Sequence, residues 1–143
     1  MDAGGASWRR SDTAVALTKE VDMDQTLPLS GEDLLRLARI DDRVVVVDTP
    51  EVFIGVKTFQ PGEVFANHFH EGYDEFFACL EGTVTVWTGR SARVELQAGS
   101  TLLCPRGSHH RLENRTDLVA RTLYVKTPPT ESDTIWVDWS PAA

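Results

Sequence analysis

All four histidines of this 143-residue chain fall in two places, His68 and His70 in one and His109 and His110 in the other. On an extended strand, residues two apart project from the same face, so His68 and His70 can aim both imidazoles at one point. The turn signal Glu71-Gly72 follows them, and the next segment opens with Asp74 and Glu75. A chain that reverses there returns a carboxylate toward the same point. Neighbours on a strand face opposite sides, so one of Asp74 and Glu75 points inward, and the same choice applies to His109 and His110. Imidazoles together with a carboxylate are a ligand set for a divalent transition metal.

The elements that must position these groups are strands. From Arg43 onward the chain runs in short segments rich in Val, Phe, Ile, Thr and Leu. Turn signals close them: Pro61-Gly62, Glu71-Gly72, Glu81-Gly82, Thr88-Gly89, Ala98-Gly99, Arg106-Gly107 and Asn114 to Asp117. That rhythm predicts an all-β domain, a sandwich or barrel, with no long helical pattern to build a parallel sheet. Thr83 to Trp87 alternates as a half-buried strand, and 134–139 reads as a last β-like segment beyond Pro128-Pro129. Ser30 to Arg39 reads as a short N-terminal helix or loop, with Ser30 as cap and Glu32 and Asp33 in the first turn. Residues 1–25 carry no clear periodicity and are assigned to a flexible leader, leaving 26–143 as one domain.

Gly62-x5-His68-x-His70-x4-Glu75-x6-Gly82 and Gly99-x5-Pro105-x-Gly107-x2-His110-x3-Asn114 fill every position of two signatures. In these residues the chain resembles the cupin superfamily, specifically its small single-domain metal-binding members. The resemblance implies a jelly-roll β-barrel holding one divalent metal on His68, His70, Glu75 and His110. It thereby chooses Glu75 over Asp74 and His110 over His109. Asp74 and His109 are left facing solvent or supporting the ligands, and the glycines, Pro105 and Asn114 serve turns.

Three neutral imidazoles and one carboxylate leave a divalent site with a net charge near +1 and room for water or substrate. Iron(II) is the favoured metal, with zinc, manganese, nickel and cobalt as alternatives. Glu75 is also the candidate catalytic carboxylate. Phe77 and Cys79 share its strand face and are expected to line the substrate pocket. Arg106, Arg111 and Tyr73 lie in the signature turns, within reach of the mouth. The favoured function is an iron-type dioxygenase acting on a small organic molecule. A non-redox isomerase, lyase or polyketide-type cyclase is the second reading, and a non-catalytic binding or sensor module is the third.

Composition narrows the partners. A formal net charge of −8 and a pI near 4.9 disfavour nucleic acid, which most of such a surface repels. The longest aliphatic string, Val44 to Val47, is far short of a bilayer span, and no secretory pattern opens the chain. A cytoplasmic protein with no membrane partner is expected. Cys79 and Cys104 are expected as free thiols. A homodimer is expected because jelly-roll sheets expose edges.

Overall fold

The computed structural model describes residues 8–10, 15–18, 30–130 and 133–142. Two sheets carry the architecture. The larger contains β1 (Trp8–Arg10), β2 (Val15–Thr18), β3 (Arg43–Asp48), β4 (Phe53–Phe59), β6 (Asp74–Glu81), β9 (Thr101–Cys104) and β11 (Ala120–Thr127). Their spatial order is β1-β2-β3-β4-β11-β6-β9. The smaller runs β12-β5-β10-β7-β8, from β5 (Val64–Phe69), β7 (Thr83–Trp87), β8 (Arg93–Gln97), β10 (His110–Glu113) and β12 (Ile135–Trp136). Pairing is antiparallel except between β2 and β3. The result is a jelly roll of two facing sheets, which do not close into a continuous hydrogen-bonded barrel. Two strands, β1 and β2, fall within the segment assigned to a flexible leader and extend the larger sheet; the rest of residues 1–25 lies outside the described residues.

Between the sheets lies the main core. Phe59, Phe77, Cys79, Cys104, Ala120 and Tyr124 come from the larger sheet, and Val84, Val86, Leu96 and Leu112 from the smaller. The larger sheet's other face is covered by the helix α1 (Gly31–Ala38). Ala38 and Leu34 pack there on Val46, Val56, Leu80 and Leu123, the apolar positions that alternate with the inward ones. Ser30 caps this helix by accepting a bond from the Asp33 amide at 3.1 Å. Thr85, which strict alternation turns to solvent, is buried, and its hydroxyl donates to Glu95 at 2.7 Å.

The signature glycines sit where the chain must cross from sheet to sheet. Gly62, Gly82, Gly99 and Gly107 all have positive φ, and Gly82 is the sharpest case. It alone joins β6 to β7, at φ +71°, and a Cβ there would lie 2.7 Å from the Val119 carbonyl oxygen. Gly82→Ala is expected to lower stability by about 2 kcal/mol, from left-handed strain plus overlap with backbone. Urea denaturation measures this, and a loss below about 0.5 kcal/mol, the scale of neutral surface changes, would show that the crossing does not need glycine. Asn114 ties the crossing from β10 to β11: its side-chain amide donates to the Phe59 and Leu118 carbonyls, and its oxygen accepts from Thr116.

Candidate metal centre

His68 and His70 come from β5 and its end, His110 opens β10, and Glu75 is the second residue of β6. Three imidazoles of the smaller sheet therefore meet one carboxylate of the larger across the interior. His68 and His110 are opposite one another in the β5–β10 ladder. The turn before His110 is tied to the same site, since the Gly107 amide donates to the His70 carbonyl at 2.6 Å. All four residues are buried, none more than 5% exposed. One ligand atom from each lies within 4.8 Å of all the others.

The orientation of the rings decides what this cluster can hold. His68 Nδ1 faces the Ala66 carbonyl at 2.7 Å, His70 Nδ1 the Asp133 carbonyl at 3.0 Å and His110 Nδ1 the Ser108 carbonyl at 3.2 Å. A carbonyl only accepts, so each Nδ1 carries a hydrogen, and each ring in its neutral form turns a bare Nε2 inward. His110 Nε2 then lies 3.2 Å and His70 Nε2 3.5 Å from the same Glu75 oxygen. In the neutral rings lone pair faces lone pair, an arrangement relieved by a positive charge between the groups, either a proton on Nε2 or a metal ion. His70 Nε2 is moreover buried without a hydrogen-bond partner. The donors fit a divalent metal, because ligands about 2.1 Å from one ion sit about 3 to 4 Å apart, close to the spacing found here.

Electrostatics keep the donors in their ligating forms. Burial, reinforced by the neighbouring His110, lowers the His68 pKa to about 4, so this ring is neutral at neutral pH. Burial works to raise the Glu75 pKa, but the adjoining His110 and His70 rings, which stabilise the carboxylate whenever Nε2 takes up a proton in place of a metal, outweigh it and hold the carboxyl down at about 2. The sign for stability follows. Between about pH 4 and 6.5 the unfolded chain binds a proton at His68 that the fold refuses, so stability falls as pH drops through that window. The metal-free protein should lose about 3 kcal/mol between pH 7 and 4 from this ring alone, as denaturant titrations at stepped pH can measure. His68→Asn should flatten the slope; an unchanged slope in that variant contradicts the assignment.

The residues not chosen by the signatures are turned away. Asp74 accepts from the Arg106 amide at 2.9 Å and its guanidinium at 3.2 Å, and these bonds hold its carboxyl below the usual range. His109 stacks on Phe69, ring centres 5.0 Å apart. Phe77 shares the inward face of Glu75 and meets His110 edge-on at 5.7 Å. Cys79 lies deeper on that face, in the core and away from the cavity wall, and its thiol donates to the Glu81 and Gly82 carbonyls. The thiol beside the site belongs instead to Cys104, the cross-strand partner of Glu75. Burial, with Glu75 nearby, pushes Cys104 up to about 12, so it stays protonated. Both cysteines are free. Arg111 is bound to Glu113 and Asn67, and Tyr73 is buried, stacked on His70 at 4.2 Å.

A cavity partly open to solvent adjoins the cluster. Phe59, Phe65, Phe77, Leu112 and Tyr124 form its apolar wall, and Thr122 and Lys126 interrupt it. Spacing of histidines does not reveal this wall. The signal for it is the alternation of Ala120, Thr122, Tyr124 and Lys126 along β11, whose even positions face inward. Close approach helps to form it: a Cβ on Gly55 would lie 2.5 Å from the Tyr124 ring.

Comparison with known proteins agrees with the fold. The family described as Cupin domain matches residues 55–126. The chain is 32% identical over 76 residues to the tetracenomycin polyketide synthase protein TcmJ of Streptomyces glaucescens, a match covering 53% of this chain and 50% of that protein. It is 32% identical over 83 residues to quercetin 2,3-dioxygenase of Bacillus subtilis (strain 168), covering 57% and 23% respectively. The chain thus spans half of one curated relative and under a quarter of the other. Among solved structures, TT1209 from Thermus thermophilus is 30% identical with a TM-score of 0.62, covering 67% of this chain and 94% of that one. BH2720 from Bacillus halodurans, 17% identical with a TM-score of 0.67 over 80% of this chain and 90% of its own, shares the fold.

Proposed function

Because the chain belongs to the cupin domain family, we propose that it is a metal-dependent enzyme acting on a small organic molecule, in the first instance an iron-type dioxygenase. The observation that carries this reading is the convergence of three bare imidazole nitrogens and one carboxylate at the foot of a walled cavity. When bound, iron(II) supplies Lewis acidity and reactivity toward dioxygen, whereas zinc, manganese, nickel or cobalt in the same donors supply Lewis acidity.

The chain's own residues do the rest. His68, His70 and His110 are locked by their carbonyl partners, so donor direction is set before substrate arrives. Glu75, ionised throughout the physiological range, offers a proton acceptor at the carboxyl oxygen turned away from the imidazoles. Phe59, Phe65, Phe77 and Leu112 exclude water from the reacting groups. Tyr124 gives a flat apolar face against which an unsaturated ring can lie.

A polyketide-type cyclase is the second reading, favoured by the likeness to TcmJ, which covers half of that protein. Oxygen uptake separates the two. Iron-loaded protein is given quercetin and simple polyphenols in an oxygen-electrode cell. Consumption of oxygen in step with substrate loss supports the first reading. Product formed without oxygen, with zinc as well as with iron, supports the second. Binding without turnover would leave a small-molecule sensor.

A further inference from the structure

Among the described residues, Lys126 is a cation in the cavity with no acidic partner. It stands opposite Glu75 on one neighbouring strand and opposite Phe53 on the other. Its ammonium lies over the rings of Tyr73, Phe53 and Tyr124, at 5.2, 5.6 and 5.7 Å from their centres. Among the described residues no carboxylate comes within 4.0 Å of it. The contrast is Lys57, the other lysine of the wall, which is neutralised by Asp42 at 2.7 Å and by Glu63. Arg43 adds a second positive group, over Phe65 at 5.5 Å. In a chain of net charge −8, two positive groups without a carboxylate in contact, with Glu75 and Asp133 acting on Lys126 only from further off, are the kind of feature that draws an anion to one point.

A second observation comes from the same strand. Thr122 is 1% exposed, lines the cavity, and its hydroxyl has no hydrogen-bond partner. A buried hydroxyl left unpaired costs about 1 to 3 kcal/mol, a cost removed when a ligand atom meets it. Thr122 and Lys126 share the inward face of β11 with Tyr124 between them. One strand thus offers a hydroxyl, a flat ring and an ammonium in file.

We propose that the cavity takes a planar organic anion, a carboxylate or an acidic phenol or enol, and that Lys126 recognises its charge while Thr122 bonds one of its polar atoms. This specifies the substrate class for the function proposed above and rests on that reading in placing the anion beside the metal centre. The anion oxygen accepts from the Lys126 ammonium, and the ring lies among Tyr124, Phe59 and Phe65. Lys126 determines specificity and takes no part in binding the metal.

The probes are benzoate and its uncharged isostere benzamide, titrated calorimetrically into metal-free and zinc-loaded protein. Wild type is expected to prefer benzoate by about tenfold or more in both forms, the scale of one charge-assisted hydrogen bond. Lys126→Met keeps the alkyl chain and should reduce the preference to about twofold or less, with circular dichroism and zinc uptake unchanged; Lys126→Arg should retain it. Thr122→Val should weaken benzoate binding while raising the stability of the empty protein, a pairing that a merely structural threonine does not produce. Equal affinity for the two probes in wild type, or no benzoate binding, overturns the inference. So does a preference that appears only with zinc and survives in Lys126→Met, which would give the anion to the ion alone and leave the metal reading intact. A Lys126-dependent preference in protein that takes up no zinc supports anion recognition and removes the metal reading.

Discussion

His110→Ala should weaken zinc or iron(II) binding by more than about 100-fold, beyond the loss typical of an orienting partner, while His109→Ala leaves affinity within about threefold. The two rings are adjacent in sequence and opposite in direction. His110 is 1% exposed and sends Nε2 to Glu75, while His109 lies against Phe69 outside the cluster. Without His110 a bound ion would keep the imidazoles of His68 and His70 and one carboxylate, and the link from β10 to the opposite sheet would be lost. Competition against a chromophoric chelator measures both variants. Equal losses would mean that the strand presents the wrong ring inward.

Glu75→Gln should reduce turnover by about 100- to 10,000-fold, the range for removing an acid–base group, and weaken metal binding as well. The substitution keeps size and shape and removes the one negative charge among the donors. A bound divalent ion would then face three neutral rings and an amide. Asp74→Asn is the matched control on the neighbouring position. Asp74 contacts Arg106 at 3.2 Å, with side chains 39% and 51% exposed, so its loss should alter stability by less than about 1 kcal/mol and leave turnover unchanged. Steady-state rates alongside metal content per chain separate lost catalysis from lost metal. If Asp74→Asn is the inactive variant, β6 runs with the opposite parity.

The site's donors were legible because they obey short-range rules. His68 and His70 are two apart on a strand, the turn at Glu71-Gly72 returns the chain, and the second cluster closes the set. Strand parity alone left Asp74 against Glu75 and His109 against His110 undecided; the signature spacing chose between them. The structure puts His110 opposite His68 and Cys104 opposite Glu75. The cavity wall was less legible because it is assembled across the sheet. Lys126 meets Glu75 and Phe53 through pairings of strands 51 and 73 positions away in sequence, as their residue numbers show. No local pattern states which strands will be neighbours. Asp133, whose backbone carbonyl orients His70, leaves no trace in composition, since any residue supplies a carbonyl. Cys79 lies in the core and not among the residues lining the cavity, because alternation gives the face of a strand but not the depth along it.

The metal centre itself is tested most directly by anomalous diffraction from crystals loaded with zinc or iron(II), recorded at the absorption edge. The account predicts one strong peak per chain, about 2.0 to 2.2 Å from Nε2 of His68, His70 and His110 and from an oxygen of Glu75. A fully loaded crystal with no peak among these four side chains, or with the ion held elsewhere while His110 keeps only its contact to Glu75, would contradict it.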